Sequence, residues 1–332
     1  MNRVISFFKK PCRWAAMYGV ILALAFTLVL LDVFVIPKAQ VRVEPPATPV
    51  YPESSEHDDS AGYIVPDAAT NTAEKEEDKD EAAEENLPAN PVITDTSYVD
   101  KNISISIDTV RNNATTLYVA DIQISNVSYL KTALAKNVFG RNIKQTTSAM
   151  AEERQAIFAV NGDYYGFRDT GYVLRNGVNY RDSGKDNALV IDSGGNLSIA
   201  HEGAVSMETL VAGGAWQIFS FGPVLVLDGE ITVDDSSEVG RAKRGNPRTA
   251  IGQAGELHYI VIVSDGRTKE SQGLSLLELA EEFAERGCSV AYNLDGGGSS
   301  TMVFNGRIVN NPTDGRREGE REVSDIVYIG YE

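Results

Sequence analysis

The 332-residue chain contains few of the residues that build the commonest reactive sites. Its two cysteines, Cys12 and Cys288, are too few for a disulfide scaffold, and Cys288 is predicted to be a buried, small apolar residue. The three histidines stand far apart and no Gly-x-Ser-x-Gly motif occurs, which argues against a serine-hydrolase triad. No cysteine- or histidine-rich zinc pattern is present either.

Positive charge is also scarce, because 47 acidic residues outnumber 30 basic ones and leave a formal net charge of −17. Residues 53–85 alone carry 13 acidic residues against two lysines. An acidic body has no electrostatic reason to bind DNA or RNA. We therefore predict no nucleic-acid partner.

The N-terminal region has the pattern of a membrane anchor. Residues 14–31 form an uncharged run, and a further apolar stretch follows Asp32. The run is long enough to cross a bilayer and longer than the apolar part of most cleaved signal peptides. Basic residues precede it, which places the N-terminus in the cytoplasm. The sequence predicts a cytoplasmic tail at 1–13 and a single cell-membrane anchor at 14–36, with the rest extracytoplasmic.

A tether and then one domain are predicted after the anchor. Residues 37–96 are rich in proline and acidic residues and poor in large apolar ones, which is typical of a disordered linker. From residue 97 the pattern changes: residues 102–107 alternate with period two, and residues 155–160 form the apolar run of a buried strand. Residues 249–263 have the pattern of a hairpin.

One helix is clear in the domain, where Ser275 and Glu278 form a capping box and Glu282 is predicted to face solvent. Strands otherwise dominate. The predicted fold is α+β, a single domain at 97–332 with mixed, mostly antiparallel sheets and few helices.

Two predicted strands end in a carboxylate beside glycines. Residues 161–166 read NGDYYG and residues 293–301 read NLDGGGSST. Glycine lets the backbone turn sharply or approach a ligand closely, so Asp163 and Asp295 are the candidate catalytic residues. Taken alone, each motif is more typical of an Asx turn at a strand end than of a catalytic site.

The second motif also suits an anion. Successive glycines expose backbone N–H groups that form a concave anion site, and hydroxyls follow them. The candidate phosphate-binding residues are Gly296, Gly297, Gly298, Ser299 and Ser300. A P-loop is excluded because no lysine follows at the required spacing. Two arginines are candidates for the same phosphate: Arg248, at the entrance of the hairpin strand, and Arg321, in a charged loop.

A divalent cation is a further candidate ligand. Asn161, Asp163, Asn293 and Asp295 supply oxygen atoms of the kind that Ca²⁺ or Mg²⁺ prefers. The same residues could work without metal, so the sequence leaves the cofactor open.

Five motifs together resemble a known family. They are AVNGDYY at 159–165, GYVLRNG at 171–177, FGP at 221–223, PRTAIG at 247–252 and NLDGGGSSTM at 293–302. Their order and spacing are similar to those of the phosphodiester glycosidase domain family. The resemblance implies cleavage of a sugar-1-phosphodiester at the glycosidic C1–O bond, with Asp163 and Asp295 in acid, base or nucleophile roles.

The resemblance also implies further site residues and a substrate class. Asn161, Tyr164 and Arg175 join the substrate-binding candidates, and the implied partner is a phosphodiester-linked glycan of the cell envelope or an exopolysaccharide. Tyr164 is either a sugar-stacking side chain or a buried aromatic at a strand end. Two alternatives stay open: a metal-dependent phosphodiesterase that cuts P–O, and a non-catalytic module that binds envelope polysaccharide.

Overall fold

The computed structural model describes residues 13–42, 90–237, 245–315 and 317–332. The predicted tail, apart from Arg13, and residues 43–89 of the predicted linker lie outside these residues. Helix α1 (Arg13–Phe34) contains an apolar span, Trp14–Phe34, that is long enough to cross a membrane. At 1.5 Å per residue its 21 residues extend for about 31 Å, close to the thickness of a bilayer's hydrocarbon core.

The described part of the chain otherwise consists mainly of strands. Three more helices are α2 (Thr147–Glu153), α3 (Met207–Ala212) and α4 (Leu276–Glu285). The strands are β1 (Lys38–Arg42), β2 (Val92–Ile93), β3 (Ser97–Val99), β4 (Ile103–Asn112), β5 (Thr115–Ile124), β6 (Leu130–Leu134), β7 (Val138–Arg141), β8 (Phe158–Asn161), β9 (Val173–Arg175), β10 (Val178–Arg181), β11 (Asn187–Asp192), β12 (Leu197–His201), β13 (Ala215–Phe219), β14 (Val224–Leu227), β15 (Glu230–Ile231), β16 (Arg248–Gly255), β17 (His258–Ser264), β18 (Val290–Asn293), β19 (Met302–Phe304), β20 (Arg307–Ile308), β21 (Thr313–Asp314), β22 (Arg317–Glu318) and β23 (Asp325–Ile329).

Three larger antiparallel sheets form the body of the domain. The large sheet has the order β15-β14-β18-β16-β17-β5-β4-β3-β2. A second sheet has the order β10-β9-β13-β11-β12, and a third the order β20-β19-β8-β23-β6. Two small ribbons, β1-β7 and β21-β22, complete the set. The predicted α+β class, with mostly antiparallel sheets and few helices, is confirmed.

The sheets share one core, and each has a helix on another face. The main cluster contains buried side chains from all three larger sheets, including Ile103, Phe158 and Leu189. Separate apolar clusters join the large sheet to α4, the third sheet to α2 and the second sheet to α3. Each sheet therefore buries both of its faces over part of its width, and the sheet ends that meet around the main core are held rigidly.

Local sequence patterns account for much of this architecture. Ile103, Ile105 and Ile107 point into the main core while the residues between them are more exposed, as the period-two pattern predicts. The capping box of α4 forms as predicted, with reciprocal hydrogen bonds between Ser275 and Glu278. The exposed position predicted for Glu282 is wrong.

Tertiary contacts explain the position of Glu282. Its side chain is buried because Asn112 of the neighbouring hairpin donates a hydrogen bond to Oε1 at 2.6 Å. Arg286 pairs with Oε2 at 2.5 Å. Cys288 is buried, as predicted, and has a free thiol. Burial raises the pKa of that thiol to about 12.

Both described ends of the predicted linker are structured. Strands β1 and β2 both lie within the predicted 37–96 segment. Strand β1 pairs with β7, and β2 pairs with β3. These pairings shorten the stretch that could serve as a tether, because the chain meets the domain immediately after α1. The period-two rule missed β1, since a five-residue strand at a sheet edge carries almost no apolar alternation.

Candidate active site

The two carboxylate-bearing strand ends meet where the large sheet contacts the third sheet. Asp295 N–H donates to the carbonyl of Gly162 at 3.1 Å, so the segments after β18 and β8 lie side by side. Asn161 fastens them: its Nδ2 donates to Asp295 O at 2.5 Å, and its Oδ1 accepts from the Thr249 hydroxyl at 2.8 Å. Asn161 is itself fully buried. It therefore positions the site and has no surface for the substrate contact predicted from the sequence.

Asp163 is the centre of a buried ion network. Its Oδ1 accepts from Tyr164 N–H at 2.5 Å and from Arg168 Nη2 at 2.8 Å. Its Oδ2 accepts from Ser220 N–H at 2.9 Å and lies 3.6 Å from Arg175 Nη2. The side chain has no exposed surface, so Asp163 does not reach a substrate in this structure. Burial opposes ionisation, but the two arginines and the hydrogen bonds outweigh it and hold the pKa of Asp163 below its usual value.

A third carboxylate, Asp325, belongs to the same network and was missed from the sequence. It begins β23, beside Asn161, and accepts from Asp163 N–H at 2.8 Å and from Arg175 Nε at 2.7 Å. Burial, with a smaller contribution from the charge of Asp163, raises its pKa to about 6 in spite of Arg175. The only signal in the sequence was an aspartate at the start of a buried strand, and the charged loop before it obscured that signal.

Arg175 lies behind the site. Its side chain is 2% exposed, bridges Asp163 and Asp325, and packs its guanidinium over the Phe219 ring at 4.1 Å. In this structure Arg175 contacts the two carboxylates, and its substrate-binding role stays a prediction. Its position is fixed by β9, where alternation turns this side chain towards the buried carboxylates.

Asp295 and Asp325 both have a raised pKa, but of the two only Asp295 keeps exposed surface. Burial, helped by the neighbouring charge of Asp163, raises the pKa of Asp295 to about 6. The Ser299 hydroxyl, the Arg321 guanidinium and the Gly296 N–H, 2.9 Å from Oδ1, act in the opposite direction and limit the rise. The residue keeps 8% of its surface exposed. Asp295 therefore changes charge just below neutral pH at the edge of the buried network.

Four of the five backbone N–H groups of the glycine turn, residues 296–300, have acceptors within the protein. Gly296 N–H donates to Asp295, Gly297 N–H to Pro247 O, and Ser299 N–H to Gly296 O. Ser300 N–H donates within the same turn, to Gly297 O. Ser299 and Ser300 are also almost fully buried. These bonds hold Asp295 in place, and the anion-binding role of the turn stays a prediction.

Two arginine side chains lie over this turn instead. A Cβ on Gly297 would be 2.7 Å from Arg267 Nη2, and a Cβ on Gly298 would be 2.7 Å from Arg321 Nη2. The guanidiniums therefore lie against the glycine backbone of the turn. Arg321 is oriented by Asp314, whose Oδ1 accepts from Nε at 2.9 Å and from Nη2 at 2.6 Å. Arg267 and Arg321 form what we call the arginine pair.

The arginine pair concentrates positive charge beside Asp295. Burial and the nearby charge of Arg321 lower the pKa of Arg267. Both guanidiniums retain exposed surface, so an anion in solution can reach them. The sequence had predicted Arg321 here and missed Arg267, which lies in an irregular loop without periodicity.

Arg248 does not join the arginine pair. On β16 successive side chains point to opposite faces, and Thr249 takes the face that contacts Asn161. Arg248 therefore lies on the other face, where its Nε donates to Leu274 O at 3.0 Å near the start of α4. Alternation along β16 places Arg248 away from the arginine pair, and its phosphate-binding role stays a prediction.

An aromatic wall flanks the network on the side of Asp163. Tyr164 is 38% exposed and stacks on Phe167 with ring centroids 4.8 Å apart, and Phe221 meets Tyr164 edge-on at 6.5 Å. Tyr165, by contrast, is buried and donates its hydroxyl proton to Ser324 O. Of the two adjacent tyrosines, Tyr164 is therefore the one whose ring is exposed, and Tyr165 belongs to the core.

The oxygen set predicted for a divalent cation does not fit one. Asn161 Oδ1 and both Asp163 oxygens already accept from N–H or O–H donors, so these three atoms have protein partners in place of a cation. Asn293 donates its Nδ2 to Gly222 O at 2.8 Å, and its Oδ1 is buried without a hydrogen-bond partner among the described residues. Within the described ranges, no group of three His, Cys, Asp or Glu side chains has the arrangement of a metal site.

Comparison with known proteins bears directly on this constellation. Residues 154–330 match the family model described as phosphodiester glycosidase. The matched range contains Asp163, Asp295, Asp325, the aromatic wall and the arginine pair. The chain belongs to the phosphodiester glycosidase family.

This chain matches only part of the length of its relatives in the family. The SPbeta prophage-derived protein YomE of Bacillus subtilis is 30% identical over 203 residues, which are 58% of this chain and 31% of that protein. The N-acetylglucosamine-1-phosphodiester alpha-N-acetylglucosaminidase of Mus musculus is 33% identical over 129 residues, which are 36% of this chain and 25% of the mouse protein. The chain thus spans a third or less of these relatives.

A solved structure shares the fold of the domain. The catalytic domain of the zebrafish N-acetylglucosamine-1-phosphodiester alpha-N-acetylglucosaminidase, auto-inhibited by its pro-peptide, superposes with a TM-score of 0.56 at 20% identity. The match covers 69% of this chain and 83% of the zebrafish one. At that identity the likeness concerns the fold.

Proposed function

We propose that this domain hydrolyses sugar-1-phosphodiesters by breaking the glycosidic C1–O bond. The observation that carries the proposal is the placement of Asp295, a carboxylate with a pKa of about 6. Its segment lies beside the one that leads into the aromatic wall, and the arginine pair covers the turn that follows it. Sugar faces stack on aromatic rings, and phosphodiesters pair with guanidiniums. The family match and the activities named for the mammalian relatives support the same reaction.

In the proposed mechanism the aromatic wall binds the sugar half of the substrate and the arginine pair binds the phosphate half. The sugar lies against Tyr164 and Phe167, and the phosphate lies at Arg267 and Arg321. Asp295 is ionised at neutral pH and takes a proton from the water that attacks C1. The phosphomonoester leaves with the electron pair of the C1–O bond, and the arginine pair stabilises its charge. Because phosphate is a weakly basic leaving group, one carboxylate suffices.

The positioning residues keep this geometry fixed. Asp163, Asp325 and Arg175 form a buried network that holds the segment carrying Tyr164 and Arg168. Asn161 ties that segment to Asp295. Preorganisation of this kind removes the need to order the site when substrate binds.

We also propose the cellular placement. Helix α1 serves as a single-pass anchor in the cell membrane, with the preceding basic residues in the cytoplasm and the domain outside. The substrate is then a phosphodiester-linked glycan of the cell envelope. Protease added to intact cells should digest the domain and spare a cytoplasmic marker; protection of both would contradict this topology.

Turnover of defined substrates tests the proposed reaction. The full chain is incubated with N-acetylglucosamine-1-phosphodiesters and, separately, with neutral glycosides of the same sugar. We expect free sugar and a phosphomonoester from the former and little turnover of the latter. Accumulation of sugar-1-phosphate would indicate a phosphodiesterase. Binding without turnover, unchanged in Asp295→Asn, would indicate a polysaccharide-binding module.

Replacing Arg267 with Met should weaken the handling of phosphodiester substrates. A hydrogen bond to a charged group contributes about 1.5–3 kcal/mol, so kcat/KM should fall by at least about tenfold. Arg307→Met is the matched control, because Arg307 forms an exposed ion pair with Asp95. Steady-state kinetics of both variants decide the point: equal kinetics for Arg267→Met and the control would remove the arginine from the site.

Replacing Tyr164 with Ala should reduce kcat/KM by about two- to thirteenfold, mainly through KM, because aromatic stacking contributes about 0.5–1.5 kcal/mol. Tyr164→Phe keeps the ring and should retain most of the activity. If Phe and Ala variants behave alike, the hydroxyl rather than the ring face is what the substrate uses.

A further inference from the structure

The end of α1 is attached directly to the domain. Asn142 Nδ2 donates to the carbonyl of Val33 at 2.9 Å and to that of Ile36 at 3.2 Å. Strand β1 begins at Lys38 and pairs with β7 over Lys38–Arg42. The chain therefore has no slack between the anchor and this edge of the domain, and the orientation of the domain relative to the helix is fixed there.

The same edge carries the aromatic wall. Asn142 N–H donates to the carbonyl of Gly166 at 3.0 Å, and Arg141 pairs with Asp169 at 2.6 Å. Gly166 directly precedes Phe167, on whose ring Tyr164 stacks. The short segment that bears the sugar-facing rings thus lies against the residues that grip the helix end.

The distances place this segment close to the bilayer surface. One asparagine links Val33 O to Gly166 O through two hydrogen bonds, so the two oxygens are at most about 11 Å apart by covalent geometry. A headgroup layer is roughly 5–8 Å deep, and the apolar span of α1 matches the hydrocarbon core. When α1 spans the membrane, the aromatic wall lies at or just above the headgroups.

The chemistry of this edge suits that position. Lys38 lies just beyond the apolar span and pairs with Asp32 at 2.7 Å, which neutralises the one acidic residue of the helix. Tyr164 presents an exposed amphipathic ring, a side chain enriched at membrane interfaces. A sugar in a polymer that extends far from the membrane would lie too far from the bilayer to contact the aromatic wall.

We infer that the substrate is a sugar-1-phosphodiester whose aglycone is embedded in the same bilayer as α1. The inference rests on the proposed function. A phosphate esterified to a membrane lipid lies at headgroup level, so the domain takes it without lifting the lipid from the membrane. Water attacks C1 and gives its proton to Asp295, the C1–O bond breaks, and the lipid keeps the phosphate as a monoester. Free sugar is released.

Reconstitution of the full chain in phosphatidylcholine vesicles tests this inference. Two probes share one headgroup, N-acetylglucosamine-1-phosphate, esterified to hexadecanol in one and to methanol in the other. We expect the embedded probe to be hydrolysed about 100-fold more efficiently than the soluble one, a typical effect of high effective concentration. The advantage should vanish when the embedded probe is supplied in separate vesicles.

An uncoupled variant supplies the matched control. It combines Asn142→Ala with a twelve-residue Gly/Ser insertion between Pro37 and Lys38; the insertion alone serves as a second variant. Hydrolysis of the soluble probe should stay unchanged, which reports an intact domain, while the advantage for the embedded probe falls at least tenfold. If the soluble probe is cleaved and the embedded one is not, or if uncoupling changes neither rate, the inference is overturned and the proposed function stands. If neither probe is cleaved, both fail.

Discussion

Replacing Asp295 with Asn is expected to reduce kcat/KM by about 10²–10⁴-fold, the usual contribution of a positioned general acid or base. Asn keeps the shape of the side chain and removes the carboxylate that accepts the proton. The fold should survive, because the amide oxygen can still accept from Gly296 N–H, which lies 2.9 Å from Oδ1. Circular dichroism and thermal unfolding would verify this.

The matched control for that variant is Asp228→Asn. Asp228 lies in an exposed turn with a φ of 53°, a conformation that Asn tolerates well. Its activity should equal that of the unaltered chain. Normal turnover by Asp295→Asn, measured with the same substrate, would contradict the role assigned to Asp295.

The pH dependence of kcat/KM gives Asp295 a second signature. Because its pKa in the free protein is about 6, the carboxylate is ionised above that pH and protonated below it. A base must be ionised, so kcat/KM should be level at neutral pH and fall about tenfold per unit well below pH 6. Asp295→Asn should lack this limb. Loss of activity as pH rises through 6 would instead indicate that the protonated form is the active one.

Replacing Arg175 with Met is expected to lower the free energy of unfolding by about 3–5 kcal/mol, as found when one partner of a buried ion pair is removed. Arg175 is 2% exposed and bonds Asp325 at 2.7 Å. Without it, the carboxylates of Asp163 and Asp325 remain buried with less opposing charge. Urea unfolding followed by tryptophan fluorescence measures the change.

Arg307→Met is again the matched control. Its ion pair with Asp95 is 3.3 Å long with both side chains more than four-fifths exposed, and exposed pairs contribute about 0–1 kcal/mol. Similar small losses in both variants would show that Arg175 is not the charge that stabilises the buried network.

Local rules predicted elements well because their causes are local. Alternation of isoleucines marked β4, and the Ser275–Glu278 capping box marked the start of α4. The same rules could not place β1, since β7, with which it pairs, is about 100 residues away in sequence. The pairing of distant strands depends on tertiary contacts that no short window contains.

The sequence indicated the candidate carboxylates but few of the residues that surround them. The sequence indicated Asp163 and Asp295, and the structure brings their segments together. It could not indicate that donors enclose Asp163, because Arg168 and Ser220 reach it through the fold. The sequence could have predicted that Arg248 and Thr249 point to opposite faces of β16, because successive side chains of a strand alternate.

The sequence contains no comparable indication that Arg267 lies beside the glycine turn. Arg267 lies in a loop, and its approach to Gly297 depends on how that loop packs against the glycine turn. Arg321 was predicted from a run of charges that is equally typical of a solvated loop. Its role depends on Asp314, which orients the guanidinium.

Hydrolysis in ¹⁸O-labelled water tests most directly whether this domain is a glycosidase. Cleavage of either bond of the C1–O–P bridge yields the same free sugar and phosphomonoester, so product identity alone does not separate them. Attack of water at C1 leaves the phosphomonoester unlabelled, whereas attack at phosphorus places ¹⁸O on it. We predict an unlabelled phosphomonoester by mass spectrometry and ³¹P NMR. A phosphomonoester carrying one ¹⁸O per turnover would contradict C1–O cleavage.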